Sequence, residues 1–293
     1  MHSPLAPSVV LRAALWMTGA IASFTAMAVA GREASLDLDT FEIMLYRSVV
    51  GMIIVCTLLT ATRTWAQVSY RHLDAHLLRN LVHFAGQNLW FYAITVIPLA
   101  QVFALEFTSP LWVLILSPLL LGERLTRIRA LAAVIGFVGI LIVARPSPET
   151  ISPGVIAAAL AAICFALTLI FTKRLTNRVT IACILFYLTV TQTVFGLIAA
   201  GYDGDIALPS AASLPWVVLI GCAGLLAHFC VTNALRIAPA TVVVPIDFTR
   251  LPVIAVIGML LYDEPLELFV LLGAAVIFVG IYLNIWSETR KRG

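Results

Sequence analysis

Five ionisable side chains lie within or at the margins of long apolar runs of this sequence: Glu42, Arg47, Glu106, Asp247 and Arg250. A charge at bilayer depth costs about 2.5–3.5 kcal/mol on insertion scales, so it usually faces protein or a wet cavity. Acids and bases together could line a cavity suited to a zwitterion such as an amino acid. They could also neutralise one another, Asp247 with Arg250 on one helical face and Arg47 with Glu106 across helices. The sequence leaves both interpretations open.

Two apolar segments also carry polar stripes. His83, Gln87 and Trp90 are spaced by four and three residues, so they share one helical face. In the other segment, His228 follows Gly224 by four residues. Such a face should point into the bundle, either as a cavity wall or for interhelical hydrogen bonding. The predicted substrate-binding residues are therefore Arg47, His83, Gln87, Trp90, Glu106, His228, Asp247 and Arg250.

The composition requires membrane-spanning elements to position these residues. Hydrophobic residues make up 61% of the chain, charged residues 11%, and mean hydropathy is +1.03, whereas a soluble domain carries about 25% charge. A spanning helix needs about 20 apolar residues. The apolar runs predict an all-α integral membrane protein with ten transmembrane helices, at roughly 9–30, 40–60, 76–97, 99–121, 127–144, 153–173, 179–200, 213–235, 239–262 and 266–286.

The basic residues predict the orientation. If the N-terminus is cytoplasmic, fourteen of the eighteen Lys and Arg fall on the cytoplasmic side, and only Arg32 and Arg145 fall outside. The remaining two, Arg47 and Arg250, lie within spans. We therefore expect both termini in the cytoplasm and a bacterial inner-membrane location. The net charge of +3 then sets topology rather than binding nucleic acid. Membrane lipid and a small-molecule substrate are the expected partners, and any oligomeric partner stays open.

An internal repeat is visible when the sequence is shifted by 141 residues. The register aligns Pro98 with Pro239, Glu106 with Asp247, Glu123 with Glu264, and 137–140 with 278–281. The predicted halves are residues 1–145 and 153–293. Five spans is an odd number, so the halves must cross the membrane in opposite directions. Inverted repeats are frequent in secondary transporters, with the site near the midplane.

Prolines interrupt the fourth and ninth predicted spans at matching positions: Pro110 and Pro118 in the fourth, Pro245 and Pro252 in the ninth. Pro110 cannot donate to the carbonyl of Glu106, so the helix should break beside the acid. Interrupted helices in corresponding positions indicate a transporter site. The alternative is an ordinary membrane-helix kink.

These motifs resemble the EamA-type transporters of the drug/metabolite transporter superfamily over nearly the whole chain. The first copy runs from Pro110 through Gly122-Glu123-Arg124-Leu125-Thr126 into Gly136-Phe137-Val138-Gly139. The second runs from Pro239 through Asp263-Glu264-Pro265 into Phe278-Val279-Gly280. Trp16 and Arg47 also fit the pattern, although Asp263 replaces the glycine and the seventh span has no arginine matching Arg47. The resemblance implies two inverted five-helix repeats that carry amino acids, vitamins, nucleoside derivatives or other metabolites.

The sequence favours a secondary transporter that exports amino acids or related small metabolites by alternating access. Import of a vitamin-like or aromatic metabolite is the alternative, motivated by Trp90, Phe91 and Tyr92. An intramembrane enzyme is disfavoured because the chain lacks HExxH, GxSxG and Asp-rich motifs. No cofactor or metal is predicted. His83, Glu106, His228 and Asp247 are possible proton carriers, and coupling versus facilitated exchange stays open.

Two further groups have structural interpretations. Glu123 and Glu264 each precede a helix, where a carboxylate interacts favourably with the helix N-terminus, and we expect them to be structural. Gly136, Gly139, Gly273 and Gly280 predict close helix packing.

Overall fold

The structure is a computed structural model that describes residues 7–121, 127–145, 152–176, 178–237, 246–247 and 249–291. Glu123, Pro239, Pro245 and the start of the ninth predicted span lie outside these residues. The described part is helical and contains no strand. Its α-helices are α1 (Pro7–Ala34), α2 (Thr40–Ala61), α3 (Leu73–Val96), α4 (Leu99–Glu106), α5 (Ser109–Leu121), α6 (Arg127–Ala144), α7 (Pro153–Thr176), α8 (Ile181–Ala200), α9 (Leu214–Ile237), α10 (Arg250–Tyr262) and α11 (Leu268–Lys291).

The helices confirm the all-α membrane fold of ten spans. Within the described residues, five helices are long and apolar enough to cross a membrane, and four further apolar helices are shorter. The helix α3 is more polar, because it carries buried His76, Arg79, Asn80, His83 and Gln87. These side chains are covered by other parts of the protein, so α3 brings a row of polar groups into the interior of the bundle.

The fourth predicted span is broken at its acid. The helix α4 ends at Glu106 and α5 begins at Ser109. The Ser109 hydroxyl donates to the Glu106 carbonyl at 2.7 Å. Pro110 cannot donate to this carbonyl because it has no backbone N–H. The equivalent helix α10 begins at Arg250, which is Ser109 shifted by 141 residues. Each break contains a threonine whose hydroxyl donates to the carbonyl three residues back, Thr108 at 2.6 Å and Thr249 at 2.7 Å.

The helix pairing has the symmetry of an inverted repeat. The first helix of each half packs on the third helix of the other, giving α1 against α9 and α7 against α3. The second, fourth and fifth helices each pack on their own counterparts, α2 on α8, α4 on α10 and α6 on α11. The two halves therefore interlock around α3, α4 and α10, where the polar residues lie.

Glycines bring α6 and α11 into backbone contact, as predicted. A Cβ on Gly139 would lie 2.7 Å from the carbonyl of Gly273, and one on Gly273 would lie 2.8 Å from that of Gly139. A Cβ on Gly280 would lie 2.8 Å from the Ala132 carbonyl. Only glycine allows this separation, so these residues serve packing.

The second helix of each half begins with an equivalent cap. Asp39 accepts from the amide of Glu42 at 2.8 Å, and Thr180 accepts from the amide of Cys183 at 3.2 Å. The Glu42 carboxylate completes the capping box and accepts from the Ala207 amide at 2.6 Å. Glu42 is thus committed to a helix terminus.

Candidate functional site

Two acids, one from each half, converge on a single arginine at the broken helices. Arg250 Nη2 lies 3.2 Å from Glu106 Oε1 and 3.3 Å from Asp247 Oδ2. Trp90 Nε1 donates to Glu106 Oε2 at 2.8 Å. We call Trp90, Glu106, Asp247 and Arg250 the charge cluster. With the acids ionised, its two carboxylates and one guanidinium leave one net negative charge.

Aromatic rings enclose the guanidinium of the charge cluster. The Arg250 Cζ lies 4.6 Å from the ring centroid of Phe24, 4.8 Å from that of Phe107 and 5.0 Å from that of Phe103. Only 4% of the Arg250 side chain is exposed. These cation–π contacts hold the guanidinium in an apolar cage. Among the described residues, two buried polar atoms of the cluster have no hydrogen-bond partner, Arg250 Nε and Asp247 Oδ1.

A second polar group surrounds Arg47 on α2. Arg47 Nη1 donates to Gln87 Oε1 at 2.5 Å, and Arg47 Cζ lies 5.9 Å from the centroid of Phe91. A small cavity beside it is lined by Arg47, Ser48, Gly51, His83, Leu188, Thr189, Gln192, Gly221, Gly224, Leu225 and His228. We call this the Arg47 cavity. Gly224 makes room for it, since a Cβ there would lie 3.3 Å from Arg47 Nη2.

The Arg47 cavity is nearly closed. Its volume is about 30 Å³, enough for a water molecule or two, whereas sites for small organic ligands are about 300–1,000 Å³. Helices must therefore move before a metabolite can bind here. Such a rearrangement between closed and open forms is what alternating access requires.

The structure brings all eight predicted site residues into two adjoining groups. Gln87 and Trp90 are neighbours on α3 and connect the two groups. The ring centroids of Trp90 and Phe91 lie 5.2 Å apart, and the Phe91 ring contacts the Arg47 guanidinium. The pairing of Asp247 with Arg250 is confirmed. The pairing of Arg47 with Glu106 is wrong, because Arg250 reaches Glu106 and Arg47 bonds to Gln87 instead. A role in substrate binding stays a prediction for all eight.

One end of the bundle is closed by polar links between the halves. Arg32 pairs with Glu264, donates from Nε to the Ile94 carbonyl at 2.6 Å and from Nη2 to the Ile97 carbonyl at 2.8 Å. Tyr262 donates to Glu33 at 2.9 Å. We call Arg32, Glu33, Tyr262 and Glu264 the latch. At the same end, Arg145 pairs with Glu267.

The role of Glu264 differs from the prediction in one respect. Its carboxylate accepts from the amide of Leu99 at 2.9 Å, at the start of α4. It therefore caps a helix of the other half, rather than the helix that follows it in sequence. The reason is the symmetric packing of α4 against α10, which brings the two ends together. Its counterpart Glu123 lies outside the described residues.

Sequence reasoning missed a buried polar group on α3. Arg79, assigned to the cytoplasmic side, is only 6% exposed and donates to Thr172 Oγ1 at 3.0 Å and Asn80 Oδ1 at 2.8 Å. Asn80 donates to Thr191 Oγ1 at 2.7 Å and accepts through its carbonyl from Gln192 at 2.9 Å. The missed signal was spacing, because Arg79 precedes His83 by four residues and continues the same stripe.

A multi-pass helical bundle with interlocked inverted halves and a polar site beside two broken helices is the architecture of a membrane transporter. Comparison with known proteins confirms this class. The model of the EamA-like transporter family matches residues 11–145 and 152–286. The chain belongs to the EamA-like transporter family, and the family model occurs twice in it. The outer bounds of the predicted halves, 1–145 and 153–293, stay a prediction.

Similar curated proteins are named as metabolite transporters. The chain is 26% identical over 276 residues to an S-adenosylmethionine uptake transporter of Rickettsia felis, covering 94% of this chain and 92% of that protein. It is 29% identical over 274 residues to a riboflavin transporter of Brucella anthropi, covering 91% and 96%. A solved crystal structure matches with a TM-score of 0.64 at 17% identity, covering 96% of this chain and 99% of that one, which supports the fold alone.

Proposed function

We propose that this protein is a secondary transporter for uptake of a zwitterionic metabolite that carries an aromatic ring system, of the S-adenosylmethionine kind. The observation that carries the proposal is the convergence of Glu106 and Asp247 on Arg250 at the two broken helices. A buried site with both signs of charge suits a solute with an ammonium or sulfonium and a carboxylate. The proposal also rests on the name of the Rickettsia felis relative.

The charge cluster supplies a place for the cationic part of such a solute. With both acids ionised, its net negative charge can attract a cationic donor, and Asp247 Oδ1, which has no partner among the described residues, can accept from it. The rings of Phe24, Phe103 and Phe107 around Arg250 offer faces that attract cations. Trp90, which donates to Glu106, can lie against an aromatic part of the solute once the helices separate.

Transport of riboflavin is the second candidate. Riboflavin has a large aromatic ring system and no charged amino-acid group, so it would use the rings rather than the charges. The aromatic residues around the charge cluster and the name of the Brucella anthropi relative favour it. The export of amino acids predicted from sequence has no support in these names, which refer to uptake of S-adenosylmethionine and to riboflavin transport.

Alternating access would proceed by opening the latch end while the opposite end closes. The topology that we propose, with both termini cytoplasmic in a bacterial inner membrane, places the latch on the outer face. Arg32 and Arg145, the two arginines that depart from the positive-inside pattern, both pair with acids at that end. Reporter fusions at each loop would test the orientation, and a periplasmic C-terminus would contradict it.

The proposed function is tested by counterflow in liposomes that contain the purified protein. Labelled S-adenosylmethionine, riboflavin, methionine and adenosine are each offered to vesicles preloaded with the same unlabelled compound. Saturable accumulation of S-adenosylmethionine, absent from protein-free vesicles, is expected. Accumulation of riboflavin alone would favour the second candidate, and saturable methionine flux alone would return the account to amino-acid transport.

A further inference from the structure

Two arginines, the buried Arg79 and the partly buried Arg47, have no acidic partner among the described residues. Arg47 bonds to the neutral Gln87 and contacts the sulfur of Met44, and Arg79 bonds to Thr172 and Asn80. By contrast, Arg32, Arg145 and Arg250 each form an ion pair with a carboxylate. A guanidinium buried without an anion is costly, so its presence calls for a compensating charge.

The two arginines belong to one continuous basic strip. Arg79 and His83 are four residues apart on α3 and therefore neighbours on one helical face. His83 and Arg47 line the same cavity, together with His228. We call Arg79, His83 and Arg47 the basic strip. One nitrogen of the strip, His83 Nδ1, has no hydrogen-bond partner among the residues that the structure describes, and His83 is only 5% exposed.

The fold itself does not require these arginines. In the second half, the residue equivalent to Arg47 is Leu188, which lines the same cavity, and the residue equivalent to Arg79 is Ile220, which is fully buried. Helices in equivalent positions thus pack with aliphatic side chains. The basic strip exists in one half only, as expected of a feature that serves a solute rather than the architecture.

We infer that the basic strip binds the carboxylate group of the transported solute, with Arg47 as the main contact. Arg79 binds the carboxylate transiently as the solute passes the end of the bundle where α3 begins. A planar guanidinium binds a carboxylate through two parallel hydrogen bonds. Gln192 and Thr189, which line the cavity, add neutral hydrogen-bonding groups. The inference rests on the proposed function, because it takes the Arg47 cavity as part of the solute path. It assigns the anionic end of the solute there and the cationic end to the charge cluster.

Carboxylate binding can be measured without transport. The melting temperature of the purified protein in neutral detergent is followed with sodium acetate, sodium phosphate and sodium chloride at equal ionic strength. Acetate should raise it saturably and chloride should not. In Arg47→Gln the apparent acetate affinity should fall at least about tenfold. In Arg71→Gln, a change at an exposed arginine of the α2–α3 loop, it should be unchanged.

The outcomes separate this inference from the proposed function. Equal effects of acetate and chloride, stabilisation by phosphate alone, or an acetate response preserved in Arg47→Gln would each overturn carboxylate binding while leaving S-adenosylmethionine flux intact. Acetate binding without S-adenosylmethionine flux would keep the carboxylate site and remove the proposed solute. If Arg47→Gln does not fold, Arg47→Lys replaces it, because lysine keeps the charge and loses the bidentate geometry. The acetate affinity should then fall by a smaller factor.

Discussion

The charge cluster and the Arg47 cavity lie side by side along α3 but differ in their relation to the repeat, because the cluster has equivalent acids from both halves and the cavity has an arginine from one half only. The cluster takes an acid from each half, Glu106 and Asp247, which are equivalent under the repeat. The cavity takes its arginine from the first half only, and the second half contributes Leu188. Symmetric residues lie at the broken helices. Under the proposed function, the asymmetric Arg47 would bind one end of a solute whose two ends differ.

The largest effect on stability is expected from a change at Arg250, because Arg250 is the partner of both acids in the charge cluster. Arg250→Met would leave two partly buried carboxylates, 18% and 27% exposed, without a cation. We expect a loss of at most about 3–5 kcal/mol in stability, the range for a fully buried pair. Adding Glu106→Gln should recover much of that loss. Thermal or denaturant unfolding in detergent measures both steps. No recovery in the double variant would show that Arg250 acts through packing on its aromatic rings rather than through the acids.

The next largest effect is expected at Arg47. Arg47→Leu copies the second half into the first, so stability should be kept while flux falls about a hundredfold, the size of a lost bidentate contact to a carboxylate. Counterflow and the melting temperature are measured together. Loss of stability without a specific loss of flux would make Arg47 a structural residue and remove the contrast between the two groups.

Much of this arrangement could be predicted from the sequence, for identifiable reasons. The 141-residue repeat and the prolines were enough to place Glu106 and Asp247 at equivalent breaks in the helices. The partners of Arg47 were not predictable, because spacing gives neighbours on one helix and says nothing of which helix faces it. Arg79 was assigned to the cytoplasmic side because it lies near the predicted end of its span. Glu264 was assigned to the wrong helix because the packing of α4 on α10 is a tertiary contact.

The latch provides a contrast with both groups, since it should affect access but not selectivity. Glu264→Gln keeps an acceptor for the Leu99 amide but removes the charge that holds Arg32. Without this charge-assisted contact, we expect the closed form of the latch end to be less stable by about 1.5–3 kcal/mol. The change would be measured as faster thiol labelling of a cysteine introduced at Thr95, which lines the pocket beside the latch. The ratio of S-adenosylmethionine to riboflavin flux should stay constant. A changed ratio would place the latch in solute recognition.

The smallest effect is expected in the loop before α2. Hydrogen bonds from Ser213 and Ser210 lower the pKa of Asp37 below its ordinary value of 3.8. Asp37 accepts from the Ser210 amide and the Ser213 hydroxyl, which join the α1–α2 loop to the segment before α9. We expect the stabilisation from these bonds to be present above pH 3.8 and to be lost as the pH falls through the lowered pKa. Asp37→Asn should remove that acid-dependent part of Thr95 labelling and leave labelling at neutral pH nearly unchanged. An equal acid response in Asp37→Asn would assign the response to other groups.

The central claim is that one solute spans both groups, with its cationic end at the charge cluster and its carboxylate at Arg47. The most direct test is counterflow of labelled S-adenosylmethionine in competition with unlabelled S-adenosylmethionine or its decarboxylated analogue, which keeps the sulfonium and the amine. The account predicts that the analogue competes at least about tenfold more weakly with the native protein. It also predicts that the two compounds compete equally with any flux left in Arg47→Leu. Equal competition with the native protein would contradict the account, because the carboxylate would then have no site in the path.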